Sequence, residues 1–250
     1  HCMRNPGRET TFRFKQFDVV NTLSAMKVGT DGVLLGAWAM SDLPADAAVS
    51  ILDVGTGSGV IALMLAQRFS AARITGLEID ADACGEAAGN FCRSPWPGRL
   101  DAVRGDFSDP CAVSRKFNFI VSNPPFYSDG LKAPDNARSM ARHDGALSLD
   151  MLMRQAFRAL YDDGRLSLVL PAERVDDLRY LATLNGFTLS RITNVRTVQR
   201  KPFRRILAEL TKGATAGSGG CDESILMIYE SPGTFSGEYK ELLADFYLNF

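Results

Sequence analysis

Apolar residues along this chain recur in two alternating rhythms. From residue 49 onward, short apolar runs of strand length alternate with longer stretches whose apolar positions return every three or four residues. The strand-like runs are "VSILDV" (Val49 to Val54), "ARITGLEI" (Ala72 to Ile79), "LDAVRGD" (Leu100 to Asp106), "FNFIVS" (Phe117 to Ser122) and "GRLSLVLP" (Gly164 to Pro171). The helix-like stretches are "GVIALMLAQRF", "DADACGEAAGNFC", "SLDMLMRQAFRALY" and "DDLRYLATLNGF", with Ser148 as the N-cap of the third. Repeated βα units predict an α/β fold, a doubly wound and mostly parallel sheet with helices on both faces.

The rhythm changes at both ends. After Phe187, "FTLSRITNVRTV" and "RRILAELTK" are separated only by "QRKPF". That is too short for a helical crossover, so the two runs are expected to pair as an antiparallel hairpin. "GATAGSGG" then reads as a surface loop and "ILMIY" as a further strand. "YKELLADFYLNF" reads as a helix whose aromatic residues dock onto the sheet. Near the start, "FRFKQFDVV" (Phe12 to Val20) alternates like one half-buried strand, and "DGVLLGAWAM" is helix-like from Asp31. The expected organisation is one domain over 1–250. It comprises an N-terminal strand and helix extension (10–40), a core (49–212), and a closing loop, strand and helix (213–250).

The length, 250 residues, suits one large domain. The formal net charge is −1, so any surface for a polyanion has to be local. Cys2, Cys84, Cys92, Cys111 and Cys221 form no CxxC pair and are odd in number, and His1 and His143 are the only histidines. This argues against a disulfide framework and against a metal site, and for a reducing, cytoplasmic setting. Apolar runs fall far short of the ~20 residues that span a bilayer, and no signal-peptide pattern is visible, so no membrane association is expected.

Candidate chemistry begins where the first strand meets the first helix. The turn "DVGTGSG" places Asp53, Gly55, Thr56, Gly57 and Gly59 at the carboxyl end of a strand, where doubly wound sheets bind ligands. Glycines there let backbone N–H groups approach a ligand closely. Glu78, followed by Ile79, ends the second strand and can accept from two ribose hydroxyls. Asp106 and Phe107 end the third, offering an adenine ring one acceptor and one apolar face. Three strand ends that each carry a carboxylate fit a nucleoside. A dinucleotide would want GxGxxG and no aspartate beside its pyrophosphate. An aspartate suits a ligand with an ammonium and a sulfonium, which points to S-adenosylmethionine. With "LDVGTGSGVIALMLA", "LEID" and "GDF", the chain resembles the class I S-adenosylmethionine-dependent methyltransferases, whose sheet is of a seven-stranded type that ends in an antiparallel hairpin.

The fourth strand ends in Asn123, Pro124, Pro125 and Phe126. Two prolines cannot continue a ladder, so they stop the strand and stiffen the turn. An exocyclic amine on a nucleobase is a poor nucleophile, because its lone pair is delocalised into the ring. The Asn123 side-chain oxygen and the Pro124 carbonyl can accept its two N–H groups and aim the nitrogen at a methyl donor. Phe126 can stack on the base. Adenine N6, guanine N2 in rRNA and a protein glutamine amide all remain open to this tetrapeptide, as does an RNA-binding factor without catalysis.

The segment from Arg191 to Arg205 contains no acidic residue, and its Arg196, Arg200, Lys201, Arg204 and Arg205 make a basic hairpin rim able to neutralise phosphates. The long loop Tyr127 to Gly145 adds Arg138, Arg142 and His143. With "MKVGTDGVLLGAWA", the loop ending in "ARHD" and the terminal "FYLNF", nearly the whole chain resembles the bacterial family of tRNA adenine-37 N6-methyltransferases. That resemblance implies a tRNA partner, a monomer, and Lys27 and Thr30 closing over the methionine end of the cofactor. It also replaces the recognition domain of protein-glutamine methyltransferases with a short leading hairpin.

Overall fold

The computed structural model describes residues 10–125, 147–213 and 220–250. In chain order the elements are β1 (Thr11–Arg13), β2 (Asp18–Val20), α1 (Thr30–Trp38), β3 (Ser50–Val54), α2 (Val60–Arg68), β4 (Arg73–Glu78), α3 (Ala81–Arg93), β5 (Leu100–Arg104) and β6 (Phe117–Ser122). They continue with α4 (Leu149–Ala159), β7 (Leu160–Pro171), α5 (Val175–Leu184), β8 (Phe187–Arg196), β9 (Arg205–Lys212), β10 (Asp222–Met227), β11 (Tyr229–Ser231), β12 (Thr234–Phe235) and α6 (Gly237–Leu243).

One sheet organises the chain, in the order β10-β8-β9-β7-β6-β3-β4-β5. β7, β6, β3, β4 and β5 run parallel. β9 lies antiparallel between β7 and β8, as the short "QRKPF" link requires. The eighth strand, β10, joins the edge parallel to β8. Side chains alternate between the faces, as strand geometry dictates. Leu52, Ile120, Leu166 and Leu168 pack against α4 and α5, while Ile51, Phe119, Val121 and Val169 pack on the face that carries α1, α2 and α3. From β3 the chain winds to β4 and β5 on one side, and from β6 to β7 on the other. The switch point therefore lies between β3 and β6.

The alternating stretch from Phe12 to Val20 is the leading hairpin that the family resemblance implies, β1 and β2, closed by the Phe14 amide donating to the Phe17 carbonyl. Alternation survives in both arms of a hairpin, so the period alone hides the turn. Two expectations change. The C-terminal helix is only seven residues long. Its aromatic sequel docks on the leading hairpin more than on the sheet: Phe246 is buried, its carbonyl takes the Lys15 amide, and Tyr247 stacks on Phe14 at 6.1 Å. Asp106 lies beyond the end of β5 rather than closing it.

A buried charge cluster locks α1 to β7, β8 and β9. Glu209, only 3% exposed, accepts from the Met40 amide, Arg165 Nη1 and Ser167 Oγ at 3.0–3.1 Å, and Arg191 Nη2 stands 3.5 Å away. The Arg191 guanidinium also lies 3.7 Å from the centre of the Trp38 ring. Arg191 is thus part of the interior and not of the basic rim. No helix among the described residues is long and apolar enough to cross a membrane. Glu209→Ala would leave Arg165 and Arg191 buried without their shared partner. It should cost about 3–5 kcal/mol in urea unfolding; a loss below about 1 kcal/mol would mean that water compensates both cations.

Candidate active site

The glycine turn owes its shape to backbone geometry that only glycine adopts cheaply. Gly55, Gly57 and Gly59 have φ values of 70°, 56° and 89°. At Gly59 there is a second reason: an added Cβ would lie 2.5 Å from Cε1 of Phe91 on α3. The turn lies close on the sheet, because a Cβ at Gly76 would meet Thr56 at 2.8 Å. A cavity of about 780 Å³ opens above it at the carboxyl ends of the strands.

Sequence-selected residues from four strand ends meet in that cavity. Gly55, Thr56, Gly57, Glu78, Ile79, Asp106, Phe107, Asn123, Pro124 and Pro125 line it, and so do Lys27, Thr30 and Arg205. Glu78 accepts from the Gly57 amide at 2.8 Å and the Asp80 amide at 3.1 Å, one on each oxygen. Each oxygen keeps a lone pair for a hydroxyl. Ile79 is half exposed beside it, and Phe107 offers a buried apolar edge. Asp106 accepts the Ser108 amide on Oδ1, which leaves Oδ2 open. This donor and acceptor set fits an adenosine.

Asp53 and Gly59 do not line the cavity. Asp53 shares the Ile51 face of β3 and is fully buried beneath the turn, where its Oδ2 accepts from Thr56 Oγ1 at 2.7 Å. It supports the glycine turn from beneath rather than lining the cavity. Its Oδ1 has no hydrogen-bond partner. Burial pushes its carboxyl up to about 7; the Thr56 hydroxyl and the Ala62 amide oppose that rise, and the Glu78 charge adds to it. Burial thus favours the neutral carboxyl, and a cation in the cavity would draw it towards its charged form, which fits a sulfonium or ammonium ligand.

Asn123 is half-buried and its Nδ2 lies 3.5 Å from the Met26 sulfur. Its Oδ1 has no donor among the described residues and remains the side-chain acceptor. The preceding Ser122 donates from Oγ to the Val54 carbonyl at 2.8 Å. That bond spans the switch point and fixes the Asn-Pro-Pro turn against the glycine turn.

Sequence gives Lys27 as a ligand residue, but its amino group already donates to the carbonyls of Asn21, Thr22 and Ser24 at 2.9–3.1 Å. Glu86 on α3 grips the same segment from the other side, accepting from the amides of Thr22, Leu23 and Ser24 at 2.7–3.0 Å. Asn90 pairs with both backbone groups of Val20 and donates from Nδ2 to the Ser58 carbonyl at 2.8 Å. Glu86 and Asn90 thus bind the leading segment and the glycine turn to one helix. Their signal in the sequence is positional: both fall on the stripe Ala83, Ala87, Phe91 that α3 buries.

Arg196, Arg200, Lys201 and Arg204 lie at the end of β8 and in the β8–β9 turn, outside the cavity lining. The register Pro171↔Arg205 puts that turn beside the carboxyl end of β7, on the cavity side of the sheet. The Arg196 guanidinium lies 5.5 Å from the Phe203 ring, and Arg200, Lys201 and Arg204 are exposed. Phe126, Arg138, Arg142 and His143 lie outside the described residues.

Known proteins resemble this chain. Residues 34–196 match the family model of the methyltransferase small domain. A tRNA1(Val) (adenine(37)-N6)-methyltransferase of Porphyromonas gingivalis is 44% identical over 240 residues, 94% of each chain. Among solved structures, a predicted O-methyltransferase from Agrobacterium tumefaciens superposes with a TM-score of 0.65 at 18% identity, covering 86% of this chain and 96% of that one. The 16S rRNA N2 G1207 methyltransferase of T. Thermophilus, in complex with AdoMet and guanosine, gives 0.56 at 20% identity, over 82% of this chain and 50% of that one. At such identities the likeness concerns the fold.

The protonation of Asp53 leads to a pH test. The ordinary value, 3.8, holds for the unfolded chain, and about 7 for the folded one. Below the first both states hold the proton and the stabilisation is complete; as pH rises towards the second, only the unfolded chain has released it and the stabilisation is lost. Relative to Asp53→Asn, the native protein should gain stability as pH falls across that window, measured by urea unfolding. Parallel curves would mean that the carboxyl is charged throughout.

Proposed function

We infer the function of this chain from its family and its site: the chain belongs to the methyltransferase small-domain family and, within it, to the tRNA1(Val) (adenine(37)-N6)-methyltransferases. It transfers a methyl group from S-adenosylmethionine to the exocyclic N6 of adenine 37 in a valine tRNA. The observation that carries this reading is the shared cavity, where Asn123 and Pro124 stand beside the glycine turn and Glu78.

When bound, S-adenosylmethionine supplies a methyl group on a sulfonium, whose C–S bond breaks as the N6–C bond forms. Glu78 holds the ribose hydroxyls, and Asp106, Phe107 and Ile79 hold the adenine of the cofactor. Asp53 sets the glycine turn through Thr56 and supplies negative charge beneath it. Asn123 Oδ1 and the Pro124 carbonyl accept the two N6–H groups of the target base, and the stiff Asn-Pro-Pro turn holds these acceptors in place before the base arrives. Phe126 stacks on that base. Placing the two reactants in line does most of the work, a contribution of about 7–11 kcal/mol in favourable cases. No general base is required beforehand, since the nitrogen sheds its extra proton to solvent after transfer.

Extrusion of the base costs a few kcal/mol, least for an unpaired nucleotide such as one in an anticodon loop. Arg196, Arg200, Lys201 and Arg204 neutralise phosphates around it, and Arg138, Arg142 and His143 join them on this reading. The protein works in the cytoplasm, as a monomer and without a metal. The tRNA substrate named for its relatives supports the cytoplasmic setting.

Labelled cofactor with tRNA from a strain lacking the modification should yield N6-methyladenosine by mass spectrometry; N2-methylguanosine, or label in protein, would overturn the reading. Asn123→Ala should lower turnover by about 10²–10³ and keep cofactor affinity. Loss of cofactor binding in that variant would remove Asn123 from the acceptor role. Arg200→Ala and Lys201→Ala should each lower the salt slope of tRNA binding by about one, with little effect on the choice of base.

A further inference from the structure

The cavity has two ends. Glu78, the last residue of β4, and Asp106, beyond β5, mark one; Asn123, Pro171 and Arg205, with Asp31 at the start of α1, mark the other. On the functional reading above, the target base enters at the second end.

Arg205 differs there from the other cations of the hairpin. It is the first residue of β9, set opposite Pro171 by the register with β7, and it lines the cavity. Its Nε donates to Asp31 Oδ2 at 2.7 Å and its Nη1 to the Arg204 carbonyl at 2.8 Å. Two bonds to different groups fix the guanidinium plane. Nη2 has no hydrogen-bond partner among the described residues. Asp31 in turn precedes Gly32, where an added Cβ would lie 3.7 Å from Nδ2 of Asn123. The ion pair and Asn123 therefore line the same end of the cavity, joined through the start of α1. Both side chains are about one-third exposed, 36% for Arg205 and 32% for Asp31, so the pair is within reach of a base in the cavity.

A guanidinium only donates. Adenine flanks N6 with two ring acceptors, N1 and N7. Guanine flanks N2 with a donor, N1–H, on one side and an acceptor, N3, on the other. We propose that Arg205, oriented by Asp31, is a specificity-determining residue whose Nη2 donates to the ring nitrogen, N1 or N7, beside the amine held by Asn123. A guanine that turned its N1–H to Arg205 would face donor with donor, and both would lose their partners. Arg205 thus reads the base, while the exposed tip residues meet phosphates.

The test uses an RNA stem-loop whose target adenosine is replaced by 1-deazaadenosine or by 7-deazaadenosine. Each analogue deletes one ring acceptor and keeps N6 and every phosphate. With the native protein, one analogue should lose roughly tenfold or more in both RNA affinity and kcat/KM. With Arg205→Met the same analogue should lose less than about twofold, because the partner is already gone. Asp31→Asn keeps the arginine but frees it, and should shrink the native penalty while leaving cofactor affinity unchanged. Equal penalties in the native protein and both variants, or none in the native protein, overturn the proposal. So does a flatter salt dependence in Arg205→Met without any change in analogue discrimination, which marks a phosphate contact. The functional reading fails separately, if the native protein leaves the adenosine stem-loop unmethylated.

Discussion

β3 and β6 lie side by side, yet their chains depart in opposite directions. The divergence of the two chains at that point creates the crevice on which the rest of the molecule depends. Ser122 spans the gap with one buried hydrogen bond to Val54. The glycine turn after β3 and the Asn-Pro-Pro turn after β6 are therefore held at a fixed separation. Methyl transfer has little else to exploit, because the nucleophile is weak and no proton needs to be removed first. Distance and alignment are the chemistry, and the switch point supplies both.

Charge in this protein is used largely for position. Glu86 takes three amides of the segment before α1 and Lys27 takes three carbonyls of the same segment. Between them a stretch without regular structure becomes a firm cavity wall. Glu209 performs a similar service far from the site, gathering Arg165, Arg191 and the end of α1 into the interior. Such groups are stable inside only because every one of them is answered by several partners. Asp53 departs from that pattern, since its Oδ1 has no hydrogen-bond partner directly under the turn that faces the cavity.

The βα core was legible because its two periods differ, 2 for strands and 3.6 for helices, and because glycine and proline punctuate them. The glycine turn, Glu78 and Asn123 were legible because their chemistry is local: each residue type is required at its own position. What sequence could not give was pairing at long range. Glu86 meets Thr22 across 64 positions, and Ser122 meets Val54 across 68. A glutamate in a helix reads as solvated until its neighbours on the buried stripe are counted. The burial of Asp53 is hidden for a simpler reason. A strand end points alternately to opposite faces, and this carboxylate falls on the face beneath the turn. Arg191 and Arg205 share one basic segment in sequence, while β8 and β9 carry one into the interior and the other to the cavity.

The walls of the cavity have separate origins. The donor end rests on β3, β4 and β5 and is braced by α3 through Asn90. The acceptor end is drawn from β6, β7, the first residue of β9 and the second residue of α1. The fold thereby separates two kinds of inheritance, a supply that stays constant and a recipient that can be exchanged. An engineer wishing to deliver the same methyl to another amine would redraw positions 31 and 205 and leave Glu86 and Asn90 alone.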